Sequence, residues 1–374
     1  MIETGSGPGA ELIRGLPEKY ERIFNGNRPP TVRPKLTFNV SRIEEYPGEY
    51  ESFFNDNFGL RQHFVDLHDL MKFFVLRDSP RPNYVLRGKE GWLFFAHNIA
   101  LDTYRRNSLL TDHELNNFKN IFHEKAQFLE GLGIKFIVII YPQKATIYPE
   151  YMPSTVKQRG GISRMDQVID TLQQETNISV LDLRDILYQH KSKYRLFHKV
   201  DTHLNYLAGF FASVAVADTV SRWYPEVRKY DITDYSLQNK LEQGGDLARM
   251  ANLQEILTEE VTYLTPRFRS HVTYKCWGKN MAEKVWYEYY LQMIARQGDK
   301  RLPRAMMFGD SFIIFGHPFL SESFDEIRYI VTSRFSEEAI MKYKPNVVIW
   351  EIVERNLMDL RLVGILENRQ RKNE

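Results

Sequence analysis

Three side chains of the kinds that carry out covalent acyl transfer stand at two places in the sequence: Asp201 and His203 in one segment, and Ser311 in another. A serine hydroxyl becomes a nucleophile when an imidazole takes its proton and a carboxylate orients the ring. Asp201 and His203 directly precede a helix predicted to begin at Asn205, so a turn that brings the carboxylate against the ring is expected there. These residues predict a site in which His203 is the base, Asp201 its orienting acid and Ser311 the nucleophile.

Ser311 belongs to a Gly-Asp-Ser-Phe segment that follows a predicted strand, residues 305–308. Gly309 permits a sharp turn, and the backbone N–H groups around Ser311 and Phe312 are predicted to receive an oxyanion. A second oxyanion donor is expected from the loop Pro142–Lys144. Each signal is weak alone, because Gly-Asp-Ser also occurs in simple turns and Asp-x-His is more often a helix cap beside a surface histidine. Their combination favours a hydrolase-type site.

Three residues near the end of another predicted strand are candidates for substrate contact. Lys144 is predicted either to contact an acid or oxyanion or, more simply, to form a structural salt bridge. Tyr141 and Tyr148 are predicted either to line a sugar subsite or to pack the strand edge. His198 stands close enough in sequence to Asp201 and His203 for the three to form a set of metal ligands, but a fourth ligand is not evident nearby. The sequence therefore predicts no metal and no cofactor.

The elements that must position these residues alternate between strand and helix patterns, which indicates a mostly parallel sheet covered on both faces. Sites in such sheets lie at the carboxyl ends of the strands, so the segments after the strands are expected to meet. The predicted strands cover residues 135–141, 178–181, 305–308, 327–332 and 347–352, and the predicted helices cover residues 111–129, 165–174, 205–223, 282–295 and 337–343.

The chain divides into four predicted parts. Residues 1–45, rich in Pro, Gly and charge, are interpreted as an extended arm with a short helix at residues 18–24. Residues 46–82 show helical spacing and are expected to pack onto the main domain. The main domain is predicted to cover residues 83–360, beginning with a β-hairpin, and residues 361–374 form a charged tail. Residues 225–277 show no clean periodicity.

Composition excludes several classes of protein. The chain has 374 residues with 50 Lys+Arg against 48 Asp+Glu, and the net charge of +2 gives no reason to expect nucleic acid. The single cysteine, Cys276, excludes an intrachain disulfide framework and a multi-cysteine zinc site. An apolar run of about 18 residues, as a membrane span requires, is absent. Residues 1–10 lack the basic and apolar regions of a signal peptide.

Several segments, taken together, carry a family resemblance. The chain resembles the SGNH hydrolase-like alginate O-acetyltransferase family of the AlgX/AlgJ type, in which the Asp-x-His precedes the serine in a circularly permuted order. The matching segments are Phe-Asn-Asp-Asn-Phe-Gly-Leu-Arg at 54–61, Gly-Lys-Glu-Gly-Trp-Leu-Phe at 88–94, Tyr-Pro-Gln-Lys-Ala-Thr-Ile-Tyr-Pro-Glu at 141–150, Asp-Thr-His-Leu-Asn at 201–205, Gly-Asp-Leu at 245–247 and Phe-Leu-Ser-Glu-Ser-Phe at 319–324.

The resemblance implies a three-layer α/β/α SGNH-hydrolase-like fold with a mostly parallel central sheet and an N-terminal helical segment. It implies transfer of an acetyl group through a serine ester on Ser311 to a sugar hydroxyl of an exopolysaccharide, as in alginate biosynthesis, or of a cell-wall glycan. The alternatives are an acetyl-ester hydrolase with the same triad and a non-catalytic carbohydrate-binding subunit of an export complex.

The same resemblance implies a polysaccharide acceptor, an acetyl donor supplied by a membrane-bound O-acyltransferase, and an extracytoplasmic location in the periplasm or at the cell surface. Three features depart from the family pattern. Leu204 replaces the tryptophan of Asp-Thr-His-Trp-Asn, the sequence shows no C-terminal carbohydrate-binding domain, and it shows no export signal. The first departure leaves the predicted triad intact.

Overall fold

The computed structural model describes residues 32–35, 40–58, 60–107, 109–175, 178–276, 292–332 and 335–358. The helices are α1 Val40–Asn57, α2 Arg61–Leu70, α3 Asn98–Arg105, α4 Asp112–Gly131, α5 Lys144–Ile147, α6 Arg164–Glu175, α7 Arg184–Lys191, α8 Tyr206–Ser221, α9 Asp246–Met250, α10 Ile313–Leu320 and α11 Glu337–Tyr343. The strands are β1 Val85–Arg87, β2 Leu93–Phe95, β3 Lys135–Tyr141, β4 Ser179–Asp182, β5 Tyr235–Gln243, β6 Thr258–Pro266, β7 Thr273–Cys276, β8 Gln292–Arg296, β9 Arg304–Gly309, β10 Glu326–Val331 and β11 Val347–Val353.

The central sheet of the described residues has the strand order β4-β3-β11-β9-β10-β8-β7. The first five strands are parallel, and β8 and β7 extend the sheet in antiparallel fashion. β11 is buried along its whole length and β3 is buried except for its first residue, as expected for central strands covered on both faces. The carboxyl ends of β3, β11 and β9 therefore meet at one edge of the sheet.

Helices cover both faces of this sheet, which gives the three-layer α/β/α arrangement. On one face, α8 and α10 pack over alternate residues of β3 and β11, such as Ile139 and Ile349. On the other face, α4, α6 and α11 cover the intervening residues, such as Val138 and Trp350. The mostly parallel sheet and the helical layers agree with the fold predicted from the sequence.

The N-terminal helices touch the main domain through the end of α2 and the π-helical turn that follows it. Phe73 is buried in a small apolar cluster with Val85 and Leu93 of the β1–β2 hairpin. Asn252, just after α9, donates hydrogen bonds to Asp66 and Asp69 of α2. Among the described residues, no helix is long and apolar enough to cross a membrane.

Several elements differ from the sequence-based expectations. Residues 292–296 form strand β8 instead of the end of a helix, and residues 282–291 lie outside the described part of the chain, as does the helix predicted at 18–24. The segment without periodicity contains a long two-stranded hairpin, β5–β6, paired from Tyr235 to Pro266. Many of its side chains are exposed on both faces, so the apolar alternation that marks a half-buried strand is missing.

Candidate active site

The structure brings Ser311, His203 and Asp201 together in line. Nε2 of His203 lies 2.6 Å from Oγ of Ser311, and Nδ1 of the same ring lies 2.6 Å from Oδ1 of Asp201. Both distances are those of short hydrogen bonds, and they run serine to imidazole to carboxylate. This arrangement can take a proton from the serine hydroxyl and stabilise the imidazolium that results.

Each half of this arrangement directly precedes a helix of the same layer. Asn205 caps α8 through a hydrogen bond from the Ala208 N–H to its side chain, which ends the turn that carries His203. Ser311 stands between the end of β9 and the start of α10. α8 and α10 are in backbone contact, because a Cβ at Gly209 would lie 2.1 Å from the carbonyl oxygen of Phe315.

The charges of the pair shift both pKa values in the directions that a catalytic imidazole–carboxylate pair needs. Burial alone would raise the pKa of Asp201, but the charge and hydrogen bond of His203 outweigh it and hold that pKa well below its usual value. Burial alone would lower the pKa of His203, but the charge and hydrogen bond of Asp201 dominate and raise it. Arg355 acts in the opposite direction and lowers the pKa of His203.

Asp246 is a fourth polar residue of the site. Its backbone N–H donates to Oδ2 of Asp201 at 2.8 Å, and its carboxylate accepts hydrogen bonds from the N–H and hydroxyl of Thr202. Gly245 is required beside it, because a Cβ there would lie 2.1 Å from Oδ2 of Asp201. Burial raises the pKa of Asp246, and the charge of Asp201 raises it further. The Gly-Asp-Leu segment had marked this position in the sequence without giving it a role.

Asp201, His203 and Asp246 place potential metal-ligating atoms within 4.8 Å of one another. Both ring nitrogens of His203 are already hydrogen-bonded, and the carboxylates of Asp201 and Asp246 accept from neighbouring backbone and hydroxyl groups. The hydrogen bonds account for the cluster, and we assign no metal to it. His198 faces Glu259, with Nδ1 3.4 Å from Oε1.

Lys144 occupies a structural position beneath the loop that carries His203. Its side chain is 4% exposed, and its ammonium donates to the carbonyl oxygens of His198, Lys199 and Asp201 at 3.0, 3.1 and 2.7 Å. Burial lowers its pKa to about 8. The salt bridge or substrate contact expected from the sequence is replaced by these three carbonyl contacts.

The other predicted substrate residues are buried as well. Tyr141 packs edge-on against Phe312, whose own ring lies 5.4 Å from that of His203. The hydroxyl of Tyr148 accepts a hydrogen bond from the N–H of Leu196, so this tyrosine packs the loop. Gly309 ends β9, where a side chain would overlap Glu351. Of the two roles considered for Tyr141 and Tyr148, a sugar subsite or packing, these contacts correspond to packing.

In the loop Pro142–Lys144, from which a second oxyanion donor is expected, both donors of Gln143 and the ammonium of Lys144 are hydrogen-bonded elsewhere. The N–H of Gln143 donates to Oε2 of Glu354 at 3.0 Å, and its side-chain amide donates to the carbonyl of Ala100. The ammonium of Lys144 is committed to the carbonyls just described. Within the described residues, the N–H of Ser311 donates to no other group, which leaves it free to receive an oxyanion.

A row of partly exposed aromatic rings leads away from His203. Its ring centroid lies 5.6 Å from that of Phe315, which lies 5.4 Å from Tyr206, which in turn lies 5.2 Å from Tyr263 on β6. The guanidinium of Arg355 lies 5.3 Å from the Phe312 ring centroid on the site's rim. The sequence did not reveal this row, because its members are far apart along the chain.

The site can be reached from solvent at the sheet edge. A cavity of about 230 Å³ at the ends of β3 and β4 is lined by Thr146, Asp182 and Glu354 among other residues, and the triad does not line it. The side chains of His203 and Asp201 are 13% and 19% exposed, so the site is reachable from solvent.

Comparisons with known proteins agree with this architecture. A family model described as the SGNH hydrolase-like domain of the acetyltransferase AlgX matches residues 85–274, just over half of the chain. No curated protein sequence matches the chain.

Solved structures show the same fold at low identity. PatB1 of Bacillus cereus is 16% identical, with a TM-score of 0.53 over 73% of this chain and 96% of that chain. A DHHW family protein of Eubacterium siraeum is 15% identical, with a TM-score of 0.53 over 75% of this chain and 98% of that chain. The SGNH-hydrolase-like fold expected from the sequence is confirmed.

Proposed function

We propose that this chain, which belongs to the AlgX family of SGNH hydrolase-like acetyltransferase domains, is a polysaccharide O-acetyltransferase that works through a serine ester. The observation that carries the proposal is the 2.6 Å contact between His203 Nε2 and Ser311 Oγ, with Asp201 behind the ring. A carbohydrate-binding subunit without catalysis would have no use for this arrangement of three side chains.

The first half-reaction loads the enzyme. Ser311 Oγ attacks the carbonyl carbon of an acetyl ester donor while His203 Nε2 takes the hydroxyl proton. The N–H of Ser311 receives the oxyanion of the tetrahedral intermediate. When the intermediate collapses, the bond to the donor's alcohol breaks, His203 returns the proton to that leaving alcohol, and the acetyl group stays on Ser311.

The second half-reaction repeats these steps with a sugar hydroxyl as the attacking group. His203 takes the proton of that hydroxyl while the sugar oxygen attacks the acetyl carbon. The tetrahedral intermediate then collapses by breaking the bond between that carbon and Ser311 Oγ, which leaves the ester on the sugar, and His203 returns the proton to Ser311 Oγ. Water in place of the sugar would make the enzyme an acetyl-ester hydrolase with the same residues, so the outcome depends on how well the acceptor is held at the site.

The aromatic row of Phe315, Tyr206 and Tyr263 supports a sugar acceptor. Partly exposed aromatic faces provide large apolar contacts for the C–H faces of sugar rings, while their polar edges stay in water. The row begins beside His203, the group that must deprotonate the acceptor hydroxyl, and ends on the β5–β6 hairpin. We place the acceptor chain along this row.

Other parts of the proposal follow from the family. The acceptor is an exopolysaccharide or cell-wall glycan, alginate being the one named for the AlgX/AlgJ type. A membrane-bound O-acyltransferase supplies the acetyl donor, and the reaction takes place outside the cytoplasm.

The Ser311→Ala variant tests the proposal. With a chromogenic acetyl ester as donor, we expect wild-type protein to release the chromophore and to carry one acetyl group by intact-mass spectrometry, whereas Ser311→Ala does neither. Ser192→Ala, at an exposed serine that follows α7, is the matched control and should behave as wild type. Unchanged release by Ser311→Ala would refute both enzyme readings. Acetylated oligosaccharide, detected by mass after adding acceptors, separates transferase from hydrolase.

A further inference from the structure

A glutamate lies in the middle of the most deeply buried strand of the sheet. Glu351 is part of Val-Val-Ile-Trp-Glu-Ile-Val in β11, and only 2% of it is exposed. Both of its carboxylate oxygens are buried and lack a hydrogen-bond partner within the described residues. Such an arrangement is costly, because a buried polar group without a partner loses its hydration without replacement. A group this costly in the core calls for a functional explanation.

Glu351 lies directly beneath the turn that presents Ser311. It alternates with Ile349 and Val353, which face the layer of α8 and α10, so its side chain points to the same layer. A Cβ built on Gly309 would lie 2.6 Å from Cβ and 3.2 Å from the carboxyl carbon of Glu351, and 3.1 Å from Ile313. Gly309 and Ile313 flank the nucleophile, so the carboxyl group of Glu351 forms part of the floor of its turn.

The electrostatic surroundings favour the neutral form of Glu351. Burial raises its pKa well above the usual value, and the neighbouring charge of Asp310 raises it further. From β3, Tyr141 faces the same space; burial raises its pKa and the charges of Glu351 and Asp310 add to that shift. The described residues place no cation among the groups that shift the pKa of Glu351. Both effects favour the protonated carboxyl over the ionised one.

Asp310 is the neighbouring residue on which a protonated Glu351 would act. Its Oδ1 accepts the N–H of Phe312 at 2.9 Å, and its Oδ2 accepts the side-chain amide of Asn356 at 3.2 Å. These bonds hold the main chain on both sides of Ser311. The side chain of Asp310 and the N–H of Ile313 are the groups near enough to shift the pKa of the Glu351 carboxyl. A neutral carboxyl can direct its proton toward Asp310, whereas an ionised one would place two like charges under the nucleophile and beside the position where the oxyanion forms.

We propose that Glu351 is a positioning residue for acyl transfer, which acts as a neutral, proton-carrying carboxyl that fixes the Gly309–Ile313 turn and keeps negative charge away from the oxyanion. This inference rests on the proposed role of Ser311. Burying an apolar side chain of the same size would cost less free energy than burying this carboxyl group. The glutamate therefore lowers the stability of the fold while it holds the geometry of the turn.

Two variants separate this role from a merely structural one. Glu351→Met replaces the carboxyl with an apolar chain of similar length; we expect an equal or higher melting temperature and a fall in kcat for the chromogenic ester on the order of 10²-fold, as for a nucleophile misplaced by about 1 Å, with KM little changed. Glu351→Gln keeps a neutral donor; we expect it to retain most of kcat, and any loss of activity that ionisation of Glu351 causes in the wild type as the pH rises should be absent from this variant.

The controls isolate Glu351 from its surroundings. Lys144 also titrates near pH 8, but it is present in both wild type and Glu351→Gln, so only the difference between their pH profiles is attributed to Glu351. Glu326→Gln changes a carboxyl at the amino end of β10, away from the site, and should leave kcat unchanged.

Three outcomes would overturn the inference: wild-type kcat in Glu351→Met, an equal loss of kcat in folded Glu351→Gln and Glu351→Met, or an unchanged alkaline decline in Glu351→Gln. If Glu351→Met does not fold, the profile of Glu351→Gln decides alone. Ester cleavage that persists in Ser311→Ala would instead refute the proposed function. The failure of the inference and the failure of the proposed function are therefore distinguishable.

Discussion

The ammonium of Lys144 donates a 2.7 Å hydrogen bond to the main-chain carbonyl of Asp201, the residue whose side chain orients His203. The same loop is held from its other side by Glu259 on β6, which accepts the N–H groups of Lys199 and Val200. A buried cation thus holds the carbonyl groups of the loop and a buried anion holds its N–H groups. The main chain of the loop that carries the imidazole is thereby anchored from two sides by side chains that lie outside the loop.

Replacing Lys144 should loosen this loop and destabilise the fold. We expect Lys144→Met to lower the free energy of unfolding by about 2–4 kcal/mol, because three buried carbonyl groups lose a charged donor. Urea denaturation followed by tryptophan fluorescence measures the change. Lys275→Met, at an exposed lysine on β7, is the matched control and should shift the midpoint little. Equal midpoints for the two variants would contradict the structural role of Lys144.

The raised pKa of His203 has opposite consequences for activity and stability. Because only the neutral imidazole accepts the proton of Ser311, ester cleavage should fall as pH drops, with a midpoint above 6.5. The same shift contributes to the free energy of unfolding below pH 6.5, and this contribution is lost as pH rises through the folded-state pKa. Activity should therefore rise over the interval in which this contribution to stability disappears.

The Asp201→Asn variant tests the origin of that shift. Without the carboxylate, the midpoint of the acid limb should move to lower pH, and kcat should fall by on the order of 10⁴-fold because the ring loses its fixed tautomer. Asp246, whose Oδ2 lies 3.8 Å from Nδ1, should preserve part of the shift. A pH–rate profile of kcat for the chromogenic ester gives both quantities. An unaltered midpoint would show that Asp201 does not control the titration of His203.

Gly245 should tolerate no side chain. A methyl group there would lie 2.1 Å from Oδ2 of Asp201, so Gly245→Ala should displace that carboxylate, reduce kcat and cost about 1–3 kcal/mol of stability. Gly131→Ala is the control, because nothing lies within 4 Å of a Cβ at the end of α4. Thermal unfolding and ester cleavage are measured on both. Full activity in Gly245→Ala would mean that the carboxylate can move without consequence.

The aromatic row should govern the choice between sugar and water. Tyr206→Ala and Tyr263→Ala each remove one ring of the row, and we expect each to lower the ratio of acetyl transfer to hydrolysis by about tenfold, or about 1.4 kcal/mol. Tyr274→Ala, at an exposed tyrosine on β7, is the matched control. Acetylated oligosaccharide and free acetate are quantified in the same reactions. The same ratio of acetyl transfer to hydrolysis in all three variants would show that the acceptor does not bind along this row.

The sequence predicted the parallel core because its strands carry strong periodic signals. The strands around Ile137, Met307 and Ile349 are continuous apolar runs, and Thr111 and Glu114 form a capping box at the start of the helix from Asp112. Asp201, His203 and Ser311 could be proposed because each stands next to such an element. Local patterns were sufficient where one face or both faces of an element are buried.

Other features could not be predicted because they arise only from tertiary contacts. The sequence predicts helix over most of strand β8, since its short apolar segment fits either period. Glu351 looks like an ordinary strand residue until the neighbouring strand places Gly309 against it. Asp246 and Arg355 meet the triad only after the chain folds. The sequence predicts an acid or oxyanion contact or a salt bridge for Lys144, because it does not show the carbonyl groups that surround the ammonium.

The backbone contact between Gly209 and Phe315 joins the two halves of the triad. Ser213 strengthens it by donating to the carbonyl of Gly316 at 2.9 Å, and both helices begin within a few residues of their reactive side chains. With main chain against main chain, the imidazole and the hydroxyl have little freedom to separate and need little reorganisation before each acetyl transfer. We then expect binding of the donor and release of the sugar acceptor, and not the chemical steps, to limit kcat. Substitutions in the residues that contact the acceptor should change acceptor preference without altering the triad.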